Sequence, residues 1–125
     1  MKTRILLIED SRTLAENLNE IFEVFDYELL EILTSAEKAM EVIRKKKPDL
    51  LLIDIKLKGI KNGIELAEEI RDKIKIPIVF ITSYSGKEVI KKIQHLAPEG
   101  IVTKPFTYDA LITSIELALA NSKRN

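Results

Sequence analysis

Short apolar runs alternate along the chain with longer stretches in which apolar residues recur every three or four positions. Ile5-Leu6-Leu7-Ile8 is followed by Glu9-Asp10-Ser11, and from there Leu14, Leu18, Ile21, Phe22 and Phe25 share one helical face. Asp10 or Ser11 can cap that helix, because a short side-chain oxygen accepts from the free N–H groups of its first turn. A mixed strand over Tyr27–Leu33 is interrupted by Glu28 and Glu31, charge that suits an edge strand with one side in water. The spacing then predicts a helix over residues 35–46, with Ala36, Ala39, Met40 and Ile43 inward and Pro48 marking its end. Residues 50–53 form a second continuous apolar run that stops at Asp54, and a loop over 56–62 leads to a helix carrying Ile64, Leu66, Ala67, Ile70 and Ile74. Residues 78–81 repeat the pattern and end at Thr82-Ser83, before a helix with Val89, Ile90, Ile93 and Leu96. A last short strand, 101–103, runs into Lys104-Pro105-Phe106, and a helix from Tyr108 turns Leu111, Ile112, Ile115 and Leu119 inward.

The order is strand then helix, five times over. Strands joined through helices run parallel, and runs apolar on both faces need helices on both sides of the sheet. Right-handed crossovers leave few topologies, and the doubly wound, flavodoxin-like α/β sheet fits best. The uninterrupted runs belong in the centre, while the mixed second strand and the short fifth strand belong at the edges. The expected strand order is 2-1-3-4-5.

Parallel strands place all their C-terminal ends on one edge, where such folds bind ligands. Glu9, Asp10, Asp54, Thr82, Ser83, Thr103 and Lys104 all fall there, from four different strands. Three carboxylates drawn together repel one another, and each costs several kcal/mol to keep charged in a dry site. A hard dication such as Mg²⁺, held by carboxylates, waters and a phosphoryl oxygen, resolves that conflict. Thr82 and Lys104 can donate to phosphoryl oxygens, and Asp54 between them can act as a nucleophile. The chemistry implied is phosphoryl transfer onto Asp54.

Composition narrows the field. The chain has 125 residues, 46% of them hydrophobic, which is ample for one core, so a single domain over residues 1–125 is expected. With no Cys and one His, disulfide frameworks, thiolate chemistry and multi-histidine metal sites are excluded. Twenty Lys+Arg balance twenty Asp+Glu, so there is no net pull toward nucleic acid or an anionic membrane. No apolar stretch approaches the ~20 residues that span a bilayer, and Glu9 interrupts the first run too soon for a signal peptide. A soluble, cytoplasmic protein is expected. His95, late in its helix, reads as a surface residue, and the basic run Arg44 to Lys47 reads as cations opposing a helix C-terminus.

Taken together, the acidic pair Glu9-Asp10, Asp54, Thr82 and Lys104-Pro105-Phe106 make the chain resemble a response-regulator receiver domain of two-component signalling, from Arg4 to about Ala120. The resemblance implies that Glu9 and Asp10 bind Mg²⁺ with Asp54 and the backbone carbonyl of Lys56. It implies that Asp54 is the phosphoacceptor, that Thr82 and Lys104 hold the phosphoryl group, and that a cis bond precedes Pro105. The expected donor is a histidine kinase or phosphotransfer protein, and the output a change in partner binding on the face built from the fourth helix, fifth strand and fifth helix. Tyr84 and Tyr108 are candidate contacts there. Such a domain catalyses only its own phosphorylation and dephosphorylation and acts as a monomer or a phosphorylation-dependent dimer.

Three positions depart from the family pattern. Ile101 stands at the switch position, commonly aromatic, so an aliphatic repacking would accompany the movement of Thr82. Lys58 replaces a common Pro, and Gly63 arrives one residue late. Lys56 and Tyr84, at positions where the family tunes dephosphorylation, are large enough to shield an acyl phosphate from water. Two cofactor or enzyme readings fit less well: a flavodoxin-type phosphate loop would not carry Glu9 and Asp10, and aspartyl-phosphate hydrolases place their nucleophile after the first strand. A receiver-like module that binds partners without phosphorylation is the remaining alternative.

Overall fold

A computed structural model describes residues 2–57, 62–83 and 87–123. Ten elements alternate in order: β1 (Thr3–Ile8), α1 (Arg12–Val24), β2 (Tyr27–Leu33), α2 (Ala39–Lys46), β3 (Leu50–Asp54), α3 (Gly63–Lys73), β4 (Ile78–Thr82), α4 (Lys87–Leu96), β5 (Gly100–Thr103) and α5 (Tyr108–Lys123). The strands form one parallel sheet in the order β2-β1-β3-β4-β5, as the pattern requires. Every residue of β3 and β4 is buried, whereas β2 and β5 at the edges alternate or expose side chains. A register shift between Ile5 and Leu6 marks the β1–β2 pairing.

Period-two alternation along the central strands feeds two separate cores. Leu6, Ile8, Leu51, Ile53, Ile78 and Phe80 point to one face and meet α2, α3 and α4 through Ile43, Leu66, Ile70 and Ile93. Ile5, Leu7, Leu50, Leu52, Val79 and Ile81 point to the other and meet α1 and α5 through Leu18, Phe22, Leu111 and Ile115. Arg71 of α3 grips both carboxylate oxygens of Glu99 at 2.7 and 2.9 Å, and Glu99 accepts the Ile78 N–H at 2.7 Å, which ties the outer helices to the start of β4.

Local details differ from the sequence pattern in three places. The second helix begins at Ala39, not at residue 35; Lys38 at its cap gives no side-chain hydrogen bond, and Ala36 reaches the core from a turn closed by Ala39 N–H to Ala36 C=O at 3.1 Å. Phe25 leaves the buried face of α1 because the helix has already stopped; it is the C-cap and is exposed, while Ala15 fills the inward stripe. On α4 only Ile93 is buried, and Ile90 lies in solvent. Lys58 and Tyr84 fall outside the described residues.

Candidate functional site

The strand ends deliver the side chains. The Leu33 carbonyl accepts the Glu9 N–H at 2.9 Å, the Ile81 carbonyl accepts that of Ile55 at 3.0 Å, and the Thr82 carbonyl accepts that of Lys104 at 2.8 Å. These three backbone bonds continue the sheet one step past its strands, joining the end of β1 to that of β2 and the ends of β3, β4 and β5 to one another. Ser11 caps α1 by accepting the Leu14 N–H at 3.3 Å, which starts the helix directly after Glu9-Asp10 and leaves both residues at the strand end. The Lys104–Pro105 bond is cis.

Among the described residues, Glu9, Asp10 and Asp54 each offer a carboxylate oxygen within 4.8 Å of the other two. Glu9 is fully buried, Asp54 nearly so, and Asp10 half-buried. Lys104, just past the end of β5, reaches into this cluster. Its Nζ lies 2.9 Å from Glu9 Oε1 and 3.4 Å from Asp54 Oδ2. The second oxygen of Asp54 accepts the Lys56 N–H at 3.0 Å, and the second oxygen of Glu9 accepts the Ser11 N–H at 3.3 Å. Asp54 is thus held by the Lys56 N–H and the Lys104 ammonium.

Burial, and then the neighbouring Asp54 carboxylate, push the Glu9 pKa above its ordinary value, against the pull of Lys104 and Ser11. Burial of the Lys104 ammonium works against its charge, but its hydrogen bond to Glu9 and the charges of Asp54 and Glu9 outweigh this and hold its pKa above 10.5. Three carboxylates thus gather negative charge that the Lys104 ammonium only partly balances.

A cavity of about 250 Å³ opens beside the cluster, lined by Asp10, Asp54, Lys56, Leu57, Ser83 and Lys104. Thr82, the residue before Ser83 at the end of β4, is buried. The sequence-derived residues Glu9, Asp10, Asp54, Lys56, Thr82 and Lys104 therefore converge on one edge. Ile101 does not join them: it lies on β5, paired with Phe80, with its side chain exposed. Leu57 is a wall of the cavity that the sequence reading passed over; its only signal was its place three residues after Asp54. The closer approach of Lys104 to Glu9 than to Asp54 was also not legible from order along the chain.

Comparisons with known proteins agree with this geometry. The response regulator receiver domain matches residues 5–116 of the chain. The transcriptional regulatory protein PdtaR of Mycobacterium tuberculosis is 31% identical over 117 residues, 94% of this chain and 57% of its own length, so the chain spans little more than half of that relative. The chemotaxis protein CheY of Halobacterium salinarum is 30% identical over 92% of this chain and 95% of its own. Among solved structures, the signal receiver domain of a modulated diguanylate cyclase from Desulfovibrio desulfuricans superposes with a TM-score of 0.90 at 32% identity, covering 98% of both chains.

Proposed function

The chain belongs to the response regulator receiver family, and from that premise we propose that it accepts a phosphoryl group on Asp54 from a phosphohistidine of a kinase or phosphotransfer protein. The observation that carries this reading is the position of Asp54. It is almost completely buried, yet it lines the cavity, with one oxygen tethered by the Lys56 N–H and the other turned toward Lys104. A carboxylate oxygen of Asp54 attacks phosphorus, the bond from phosphorus to the donor imidazole nitrogen breaks, and the imidazole leaves with the electron pair. Lys104 follows the transferred charge, exchanging its contact with the carboxylates for one with a phosphoryl oxygen. Thr82 supplies a hydroxyl from the end of β4.

The donor set fits a divalent cation: three converging carboxylates, one fully buried, with the Lys104 ammonium against them. Glu9, Asp10 and Asp54, with the Lys56 carbonyl, would hold Mg²⁺, which when bound would supply positive charge against the negative charge on the phosphoryl oxygens. In the receiver family the output is a population shift, and here the exposed apolar side chains of Ile90, Ile101, Tyr108 and Leu117 on α4, β5 and α5 offer the partner face. With Ile101 already in solvent, that shift proceeds by movement of Thr82 and of aliphatic side chains rather than by burial of an aromatic ring. No described helix is long and apolar enough to cross a membrane.

Incubation with acetyl phosphate and Mg²⁺ is expected to add one phosphoryl group by intact mass, and none in Asp54→Asn or without the metal. Absence of an adduct, with rapid turnover excluded by measuring acetyl phosphate consumption, would overturn the reading in favour of a module that binds without phosphorylation. The exposed side chain of Lys56, beside the mouth of the cavity, is placed to hinder water. The acyl phosphate is accordingly expected to persist for minutes or longer, and Lys56→Ala to shorten its life severalfold. A wild-type lifetime of seconds, followed by loss of the mass adduct after removal of donor, would refute the shielding.

A further inference from the structure

Asn62-Gly63 is the one place in the sequence where an asparagine precedes glycine; Asn17, Asn19 and Asn121 precede Leu18, Glu20 and Ser122. With no Cβ on the following residue, little obstructs the approach of the peptide nitrogen to the asparagine side-chain carbonyl carbon. In an open chain that nitrogen, once deprotonated, attacks Cγ and ammonia leaves. The five-membered succinimide then takes up water to give aspartate or isoaspartate. We propose that Asn62 is a deamidation site that the fold keeps latent, and that its isoaspartate form is a defective phosphoacceptor.

The groups this reaction needs are engaged in the folded chain. The Gly63 N–H, which must give up its proton, is donated to the Ile55 carbonyl at 2.9 Å, and Gly63 is buried away from solvent base. The Asn62 side-chain oxygen accepts the Glu65 N–H at 2.9 Å, which ties the side-chain amide to the first turn of α3. Glu65 closes the capping box by accepting the Asn62 N–H at 3.1 Å. Asn62 itself is exposed, so these hydrogen bonds protect it and burial of its side chain does not. Attack on Cγ therefore waits for the first turn of α3 to lift from the end of β3, and the free energy of that opening sets the rate.

The two products differ in what they do to the site. Aspartate caps a helix as well as asparagine does. Isoaspartate runs the main chain through the side-chain carbon and lengthens it by one carbon immediately before Gly63. There is no slack to absorb that carbon. Even a Cβ on Gly63 would lie 2.2 Å from the Asp54 carbonyl oxygen, and the end of β3 is held by the Ile55 N–H on the Ile81 carbonyl at 3.0 Å. The lengthened segment displaces Gly63 against Asp54. This consequence rests on Asp54 as the phosphoacceptor; the deamidation does not.

The test follows the full chain in mildly alkaline buffer by intact mass and peptide mapping, with the same chain in guanidinium chloride as the reference. The amide-to-acid mass gain is expected at Asn62, at least about tenfold slower in the folded chain than in the unfolded one. Glu65→Ala, at an exposed position, opens the capping box and is expected to speed deamidation of the folded chain about three- to tenfold. Glu65→Gln, which can close the box, is expected to stay near the parent. Aged molecules with isoaspartate at position 62 are separated by ion exchange and recognised by resistance to endoproteinase Asp-N. They are expected to take up phosphoryl groups from acetyl phosphate at least about tenfold more slowly than the parent, with Asn62→Asp within about twofold of it. Deamidation of Asn62 at the unfolded rate, equal rates in Glu65→Ala and the parent, or parental phosphorylation of the isoaspartate form would each overturn the proposal. A fresh parent that forms no adduct would overturn the phosphoacceptor reading of Asp54 and with it the second half of the proposal, while the deamidation rates decide the first.

Discussion

Replacing Lys104 by alanine is expected to destabilise the metal-free protein by about 3–5 kcal/mol near neutral pH, lowering its melting temperature by on the order of 10 °C or more. The cause is electrostatic. Lys104 is the ammonium that the structure places against Glu9 and Asp54, and Glu9 is fully buried. Without it, three carboxylates with oxygens within 4.8 Å of one another lose the ammonium that contacts two of them, leaving the exposed Lys56 at the cavity lining. Removing one partner of a buried pair costs more than the pair itself contributes, because the surviving charge has lost its solvation.

The pH dependence has a definite sign. Glu9 binds its proton more tightly in the folded protein than in the unfolded chain, so the folded state holds more protons in the interval between its two pKa values. The resulting stability is fully present below the ordinary value of 4.5 and is lost as pH rises through the raised folded value. Loss of Lys104 removes a contact that lowers the Glu9 pKa, so in Lys104→Ala the interval widens and the defect grows as pH rises through it. Denaturant titrations should show the variant close to the parent in mild acid and far below it near neutrality. Glu9→Gln in the same background should recover most of the loss. Millimolar Mg²⁺ should recover it too, with apparent affinity rising with pH because the ion and the Glu9 proton compete. A defect independent of pH and Mg²⁺ would mean that Lys104 contributes by packing alone.

Much of this site was readable in the chain before the fold was known, for a physical reason. In a parallel sheet the ends of all strands meet at one edge, so Glu9, Asp10, Asp54, Thr82 and Lys104 needed only correct strand assignments to converge. Continuous runs such as 50–53 and 78–81 made those assignments secure. Helix starts were harder. Ala36 is apolar, correctly spaced and buried, yet it sits in a turn, because periodicity records which residues reach the core and not the backbone that carries them there. Phe25 failed in the opposite way, since a pattern extends past the point where the backbone leaves the helix. The contact between Gly63 and β3 was invisible, because it depends on the space left between two backbones.

That contact predicts the largest effect of a single methyl group. Gly63→Ala is expected to slow phosphorylation of Asp54 by about 100-fold while costing about 2 kcal/mol of stability. A Cβ at Gly63 would lie 2.2 Å from the Asp54 carbonyl oxygen and 2.8 Å from the Ile55 Cα, both backbone atoms with no rotamer to yield. The glycine is required by this close approach. Neither side can retreat easily. The start of α3 is pinned by a capping box, in which Asn62 accepts the Glu65 N–H at 2.9 Å and Glu65 accepts that of Asn62 at 3.1 Å, and by the Gly63 N–H donated to the Ile55 carbonyl at 2.9 Å. The end of β3 is pinned by Ile55 N–H to the Ile81 carbonyl at 3.0 Å. Relief must therefore shift the Asp54–Ile55 peptide that the methyl group would strike, and with it the Asp54 carboxylate and the Lys56 N–H that orients it. Displacement of a nucleophile by about 1 Å is enough for a loss of this size. Ile70→Val, which opens a small cavity in the core beneath the same helix, two turns from the contact of Gly63 with Asp54, is expected to cost about 1 kcal/mol and leave the rate of adduct formation within about twofold. Rates measured by intact mass well below both melting temperatures separate the two effects: equal slowing in the two variants would show that Gly63 acts through stability, and parental rates in Gly63→Ala would show that the backbone absorbs the methyl group away from Asp54.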